Sequence, residues 1–173
     1  MRPAAAAPVE IAVRTVLFMC VFNATRTIMA EALLNHLGGG RYRAFSAGEY
    51  ASGAVHPLTL ECLVAHGIPI QGLQSKTWSR YIGLGAPHID FIITVCDDSK
   101  EDMRRQWRQE PIKAHWDTAN PAVALGTEED MRRAFEYTFD VLKRRIEAFL
   151  QLPLDDRDPT AQWHAIMSVG KIR

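Results

Sequence analysis

Residues 15–37 read TVLFMCVFNATRTIMAEALLNHL, a strand, a loop and a helix in succession. Thr15 to Met19 is a near-continuous apolar run, the mark of a strand buried on both faces of a parallel sheet. From Thr27 the period becomes helical. Ala30, Leu33, Leu34 and Leu37 fall on one stripe, and Gly38-Gly39-Gly40 stops it. Between strand and helix lies Cys20-Val21-Phe22-Asn23-Ala24-Thr25-Arg26-Thr27. A loop that wraps a helix N-terminus points several backbone N–H groups at one centre, a cradle for a tetrahedral oxyanion. Arg26 can fold its fork over the same anion. Cys20 has its sulfur in this positive field, which predicts a lowered thiol pKa and a thiolate nucleophile at neutral pH. Thr27 can donate its hydroxyl to that sulfur, and Asn23 tolerates the left-handed backbone such a loop needs. Cys-x5-Arg alone is a weak pattern, equally met by a buried small thiol and a surface charge. Its place between the first buried strand and the first amphipathic helix gives it weight.

Working outward, strands and helices alternate. Further strands are expected at Tyr42–Ser46, Ile89–Val95 and Ile112–Trp116, with Ile89–Val95 the strongest. Helices are expected at Pro57–His66, at Ser99–Trp107 with Ser99 as its cap, and from Thr127 to about Leu150. The last has Phe135, Phe139, Leu142, Ile146 and Phe149 on its inward stripe. Residues 67–88 are irregular, with one helical turn near Trp78–Tyr81. This alternation implies right-handed crossovers, a parallel sheet covered on both faces and a crevice at the carboxyl ends of the strands. Residues 1–13 read as a disordered leader, 14–157 as a single α/β domain, and 158–173 as a tail with a short amphipathic turn at Ala161–Val169.

Composition sets the outer limits. The chain has 173 residues, enough for one domain with a proper core. Its 20 basic and 20 acidic residues cancel, which argues against a nucleic-acid binder or a polybasic membrane-surface protein. Cys20, Cys62 and Cys96 are too few for a disulfide scaffold and suit a reducing, cytoplasmic setting. With no Cys-x-x-Cys and no His-Glu-x-x-His, no metal seat is expected, and Cys62 reads as core. His56 precedes Pro57 and suits a helix cap. Arg104, Arg105 and Arg108 read as a solvated face that could also dock an anionic reductant.

The chain resembles the low-molecular-weight protein tyrosine phosphatases and the arsenate reductases that share their fold. LFMCVFNATRTIMAEALLNHL carries the resemblance, followed by FSAGEYASGAVHPLTLECLVAHGIP, SKTW, IDFIITVCDDS and HWDTANPA. SKTW, ITVCD and HW…PA look more like the reductase branch. The resemblance implies a four-stranded parallel sheet flanked by helices, a flavodoxin-like three-layer sandwich. It also implies Cys20, Arg26 and Thr27 as catalytic residues and Val21 to Thr25 as the oxyanion loop. The expected activity is reduction of arsenate through a Cys20 adduct, by a monomer with no bound cofactor. Glutathione/glutaredoxin, mycothiol or thioredoxin would supply electrons, and arsenate or phosphate is the expected ligand.

Three departures qualify this expectation. The family's Asp-Pro general acid stands here as Asn120-Pro121, and Asp117 is the candidate substitute. Phe22 stands where the family usually has Gly before Asn, either walling the rim or packing on a neighbouring loop. Cys96 aligns with the first relay cysteine, but the next relay position falls at Met103 or Arg104. Either Cys96 or an external thiol then resolves the adduct. The alternatives are a tyrosine phosphatase and a catalytically weak oxyanion-binding protein.

Overall fold

The computed structural model describes residues 11–97, 107, 109–155 and 157–173. Four strands, β1 (Arg14–Cys20), β2 (Tyr42–Gly48), β3 (Phe91–Thr94) and β4 (Ile112–His115), form one sheet. The order is β2-β1-β3-β4 and every pairing is parallel. From β1 the chain steps outward to β2, then crosses to the other side of β1 for β3 and β4. The carboxyl end of β1 is therefore the switch point where α/β sheets open a crevice. Strand β3 is shorter than its apolar run because the Asp90 carboxylate takes over the ladder at its start. It accepts from the Thr15 amide at 2.8 Å and the Thr15 hydroxyl at 3.2 Å.

Among the described residues the α-helices are α1 (Arg26–Leu37), α2 (Pro57–Ala65), α3 (Glu128–Leu150) and α4 (Pro159–Val169). Strand β1 alternates between two cores, as a strand must. Val16 and Phe18 join the larger core with Phe91, Ile93, Ala114, Trp116 and the helical side chains, among them the whole Phe135–Phe149 stripe. Leu17 and Met19 face the other way, into a smaller core with Ala47, Ile92, Tyr81, Ile89 and Trp107. The expected turn at Trp78–Tyr81 is a short 3-10 helix under this second face. Helix α3 starts with a reciprocal cap: Thr127 accepts from the Asp130 amide at 3.2 Å and donates its own amide to Asp130 at 2.8 Å. Residues 1–10 of the leader, residues 99–106 of the expected charged helix, and Arg108 lie outside the described residues. No helix among the described residues is long and apolar enough to cross a membrane.

The segment expected as a tail instead completes the larger core. Helix α4 is eleven residues long and buries Ala165, Ile166 and Val169. The fully buried Trp116 donates its indole N–H to the Ile166 carbonyl at 2.8 Å. One short apolar stripe hides this role, because its partner, Trp116, is remote in sequence. Gly170 ends α4 in close contact with that ring: a Cβ there would lie 2.7 Å from Trp116 Cδ1 and 3.0 Å from the His115 carbonyl. Gly170→Ala is expected to cost about 1–3 kcal/mol, the usual penalty for overpacking. Thermal unfolding should show a Tm lower by about 3–10 °C; an unchanged Tm would contradict this packing.

Candidate active site

The loop between β1 and α1 is shaped from outside. The carbonyl of Cys20 accepts from the Glu49 amide at 3.0 Å, and that of Val21 from the Tyr50 amide at 2.8 Å. Phe22 O accepts from the Ser52 amide at 3.0 Å and from Ser75 Oγ at 3.2 Å. Ala24 O accepts from the His56 amide at 3.0 Å and from Thr59 Oγ1 at 3.2 Å. Thr25 O starts the helical ladder by accepting from the Met29 amide. In a planar trans peptide an N–H points opposite to the preceding carbonyl. The amides of Phe22, Asn23, Thr25 and Arg26 are therefore turned away from this outer layer, toward the enclosed centre.

Cys20 lies at that centre, buried. Its Sγ accepts the Asn23 amide at 3.0 Å and lies 3.3 Å from Thr27 Oγ1. The Thr27 oxygen already accepts from Asn23 Nδ2 at 2.9 Å, so its own hydrogen is free to point at the sulfur. Asn23 holds this arrangement with a left-handed backbone, φ 50°, and its Oδ1 accepts from the Lys76 amide at 2.8 Å. The geometry matches the sequence expectation; the electrostatics do not. Burial pushes the Cys20 thiol above its ordinary value, and the neighbouring Cys96 adds to the rise. Thr27 and the Asn23 amide pull it down, and Arg26 contributes least among the lowering effects. The expected depression fails because the sulfur is shut off from water while the Arg26 charge is engaged elsewhere.

Arg26 donates Nη1 to the Thr118 carbonyl at 2.8 Å. Its Nε is buried and, among the described residues, has no hydrogen-bond partner, so a donor remains for an oxyanion to satisfy. Thr118 is itself held by Arg145, a buried cation on α3. Arg145 Nη1 donates to Thr118 Oγ1 at 2.8 Å and to the Asp117 carbonyl at 2.9 Å, and Nε to the Ile172 carbonyl at 2.9 Å. Arg145 is thus a positioning residue for the Arg26 anchor.

The remaining candidates fall into place around this loop. Asn120 is not disposed as an acid: its Oδ1 accepts from the Ala122 amide at 3.1 Å and caps the 3-10 turn Pro121–Val123. The exposed Asp117 carboxylate gathers with Asp97 and His115, all three donor atoms within 4.8 Å of one another. Phe22 is on the rim, 57% exposed. Cys96 is buried in one cluster with Cys20, Val95 and Val21. His56 caps α2 as expected, accepting from the Leu58 amide at 3.1 Å.

A second buried network lies beneath the loop. Lys76 spends all three ammonium protons, on Glu31 Oε2 at 3.3 Å, Ser46 Oγ at 3.1 Å and the Gln74 carbonyl at 2.8 Å. Ser46 Oγ also donates to Glu31 Oε2. Burial pulls Lys76 down and pushes Glu31 up, and each charge partly restores the other. Through the Lys76 amide this pair fixes the Asn23 side chain.

The pattern of the low molecular weight phosphotyrosine protein phosphatase family matches residues 15–157. An arsenate reductase of Bacillus licheniformis is 30% identical over 139 residues, 80% of this chain and 96% of the relative. Its counterpart in Bacillus subtilis is 28% identical over 138 residues, again 80% of this chain and 96% of the relative. Among solved structures, an arsenate reductase in a phosphate-binding state superposes with a TM-score of 0.62. It is 25% identical and covers 80% of this chain and 97% of its own. A tyrosine phosphatase of Erwinia amylovora also reaches 0.62 at 19% identity, covering 80% and 92%, and so shares the fold.

Thr27→Val tests the local electrostatics. A hydrogen bond to a charged group contributes about 1.5–3 kcal/mol, and 1.36 kcal/mol is one pKa unit. Losing the hydroxyl disfavours the thiolate, so the pH midpoint of Cys20 alkylation should rise by about 1–2 units. Alkylation at neutral pH should slow about 10–100-fold. Iodoacetamide kinetics across pH, compared with the parent protein, read this directly; an unmoved midpoint would contradict the assigned bond.

Proposed function

Since the chain belongs to the low molecular weight phosphotyrosine protein phosphatase family, we propose that it reduces arsenate to arsenite, with Cys20 as nucleophile and Cys96 as resolving thiol. The observation that carries this reading is the shared burial of the two thiols. β1 and β3 are neighbouring strands whose last paired residues are Met19 and Thr94. Cys20 is one residue beyond that register and Cys96 two beyond, on strands about 4.8 Å apart.

The steps balance with these residues. Arsenate enters the loop, bound by the inward amides and Arg26. The Cys20 sulfur bonds to arsenic, and an arsenic-bound oxygen leaves as water. Its protons come from arsenate itself and from the Cys20 thiol, which burial holds protonated in the free loop. No carboxylic acid is required. The Cys96 sulfur then attacks Cys20 and gives up its proton to the departing arsenite. The S–As electron pair passes to arsenic, which falls from As(V) to As(III), and arsenite departs. A Cys20–Cys96 disulfide remains, and two electrons from an external thiol system reopen it. With no third relay cysteine, the reductant must act on that disulfide itself. A thioredoxin-dependent arsenate reductase from Corynebacterium glutamicum is similar in structure, 25% identical at a TM-score of 0.51, covering 80% of this chain and 64% of its own. This favours a thioredoxin-type dithiol over glutathione/glutaredoxin or mycothiol. The need for such a donor suits a reducing compartment.

Asn120 separates this reading from a phosphatase. A phenolic leaving oxygen carries no proton, and an amide whose oxygen is committed to Ala122 supplies none. Asn120→Asp is therefore expected to raise hydrolysis of an aryl phosphate by about 10²-fold or more, while arsenate turnover with a thioredoxin system changes far less. Equal gains in both assays would sink the assignment. Cys96→Ser should abolish multiple arsenate turnovers while leaving Cys20 open to alkylation. Unimpaired turnover in that variant would return the resolving role to an external thiol.

A further inference from the structure

Away from the Cys20 loop, α2 and α3 bring three metal-ligating side chains to one corner of the molecule. Cys62 and His66 are four residues apart at the end of α2, so they share a helical face. Glu136, on α3, meets both. The Cys62 thiol donates to Glu136 Oε1 at 3.4 Å, and His66 Nε2 lies 2.7 Å from Glu136 Oε2. The His66 ring is fixed by stacking on Phe139, centroids 4.1 Å apart at 16°. Cys62 is buried, but a cleft of about 230 Å³ opens beside it, lined by Leu58, Glu61, Phe135 and Glu136 among others.

We propose that Cys62, His66 and Glu136 bind a divalent cation of the zinc class, clamping the end of α2 to α3. One sulfur, one imidazole nitrogen and one carboxylate oxygen are a donor set for zinc-like ions rather than for magnesium or calcium. The spacing agrees. With metal–sulfur near 2.3 Å and metal–nitrogen or –oxygen near 2.0–2.2 Å, adjacent donors of a tetrahedral site lie about 3.3–3.5 Å apart for nitrogen and oxygen, and about 3.5–3.7 Å apart where one is sulfur. Cys62 Sγ lies 3.4 Å from Glu136 Oε1, within about 0.3 Å of the sulfur–oxygen spacing. His66 meets the other oxygen, Glu136 Oε2, and this contact must open by about 0.6 Å to reach the nitrogen–oxygen spacing; the half-exposed Glu136 side chain can turn to provide it. The cleft leaves room for water as a fourth ligand.

The chemistry is proton exchange without redox change. The cation displaces the Cys62 proton to solvent, and a metal–sulfur bond replaces the S–H···O contact. Without a cation, burial and the negative charges of Glu136 and Asp140 push the Cys62 thiol up to about 12. It is then inert as a nucleophile, and a divalent charge is what would ionise it. The clamp acts on the helix that supports the active loop: His56 and Thr59, at the start of α2, hold the Ala24 carbonyl.

Cobalt(II), titrated into the reduced full-length protein, tests this directly. The expected result is one equivalent bound per chain, with a thiolate-to-cobalt charge-transfer band. Cys62→Ser should remove the band, whereas Cys20→Ser should keep it. His66→Gln and Glu136→Gln should each weaken binding by more than about tenfold, since even outer-sphere changes reach that size. Absence of a saturable band would overturn the proposal. So would a band that survives in Cys62→Ser or vanishes in Cys20→Ser. Should Cys62→Ser not fold, the half-exposed Glu136→Gln decides, with its fold checked by circular dichroism: undiminished cobalt affinity there refutes the site.

Discussion

Outward anchoring of the carbonyls of Cys20, Val21, Phe22 and Ala24 is the constraint on which the site depends. An oxyanion cradle needs N–H groups pointing inward, and peptide planarity grants this only if the carbonyls point out and find donors. The segment from Glu49 to His56 supplies those donors in sequence, one amide after another. For this layer to come close enough, β2 must end without a side chain. A Cβ on Gly48 would lie 2.7 Å from the Val21 carbonyl and 3.0 Å from the Asn23 amide. The glycine serves steric approach here, because its Cβ position is already filled by the loop.

Two buried cations then hold the loop at separate points, Arg26 and Asn23. Arg145 fixes Thr118, and Thr118 fixes Arg26. Lys76 neutralises Glu31 and, by its backbone, orients Asn23. Removing one partner of such a buried pair typically costs about 3–5 kcal/mol, because the other charge is left uncompensated. That is a large share of a domain's stability, about 5–15 kcal/mol. Loop order and fold stability are therefore linked here: the side chains that shape the cradle are also those the core cannot lose.

Much of this was legible in the sequence, for identifiable reasons. Strand β1, α1 and the Phe135–Phe149 stripe carry strong local periodicity. Cys20, Asn23, Arg26 and Thr27 are consecutive enough for their geometry to follow from one turn. Lys76, Arg145, Gly48 and Thr118 carry no such signal. Each works through a partner tens of residues away, and a lone lysine or arginine in sequence looks like a surface charge. The same limit hid the role of α4, whose packing depends on Trp116, and the meeting of Cys62 and His66 with Glu136. The sign of the Cys20 shift was missed for a different reason. Sequence shows which charges surround a thiol but not how completely water is removed from it, and here desolvation outweighs the favourable contacts.

In the proposed cycle Cys20 and Cys96 act as a pair. A single-turnover reaction with arsenate, quenched by alkylation and mapped by non-reducing peptide mass spectrometry, tests it most directly. One Cys20–Cys96 disulfide is expected for each arsenite released, with Cys62 recovered as the alkylated thiol. Arsenite release with Cys96 still free and alkylated would contradict it.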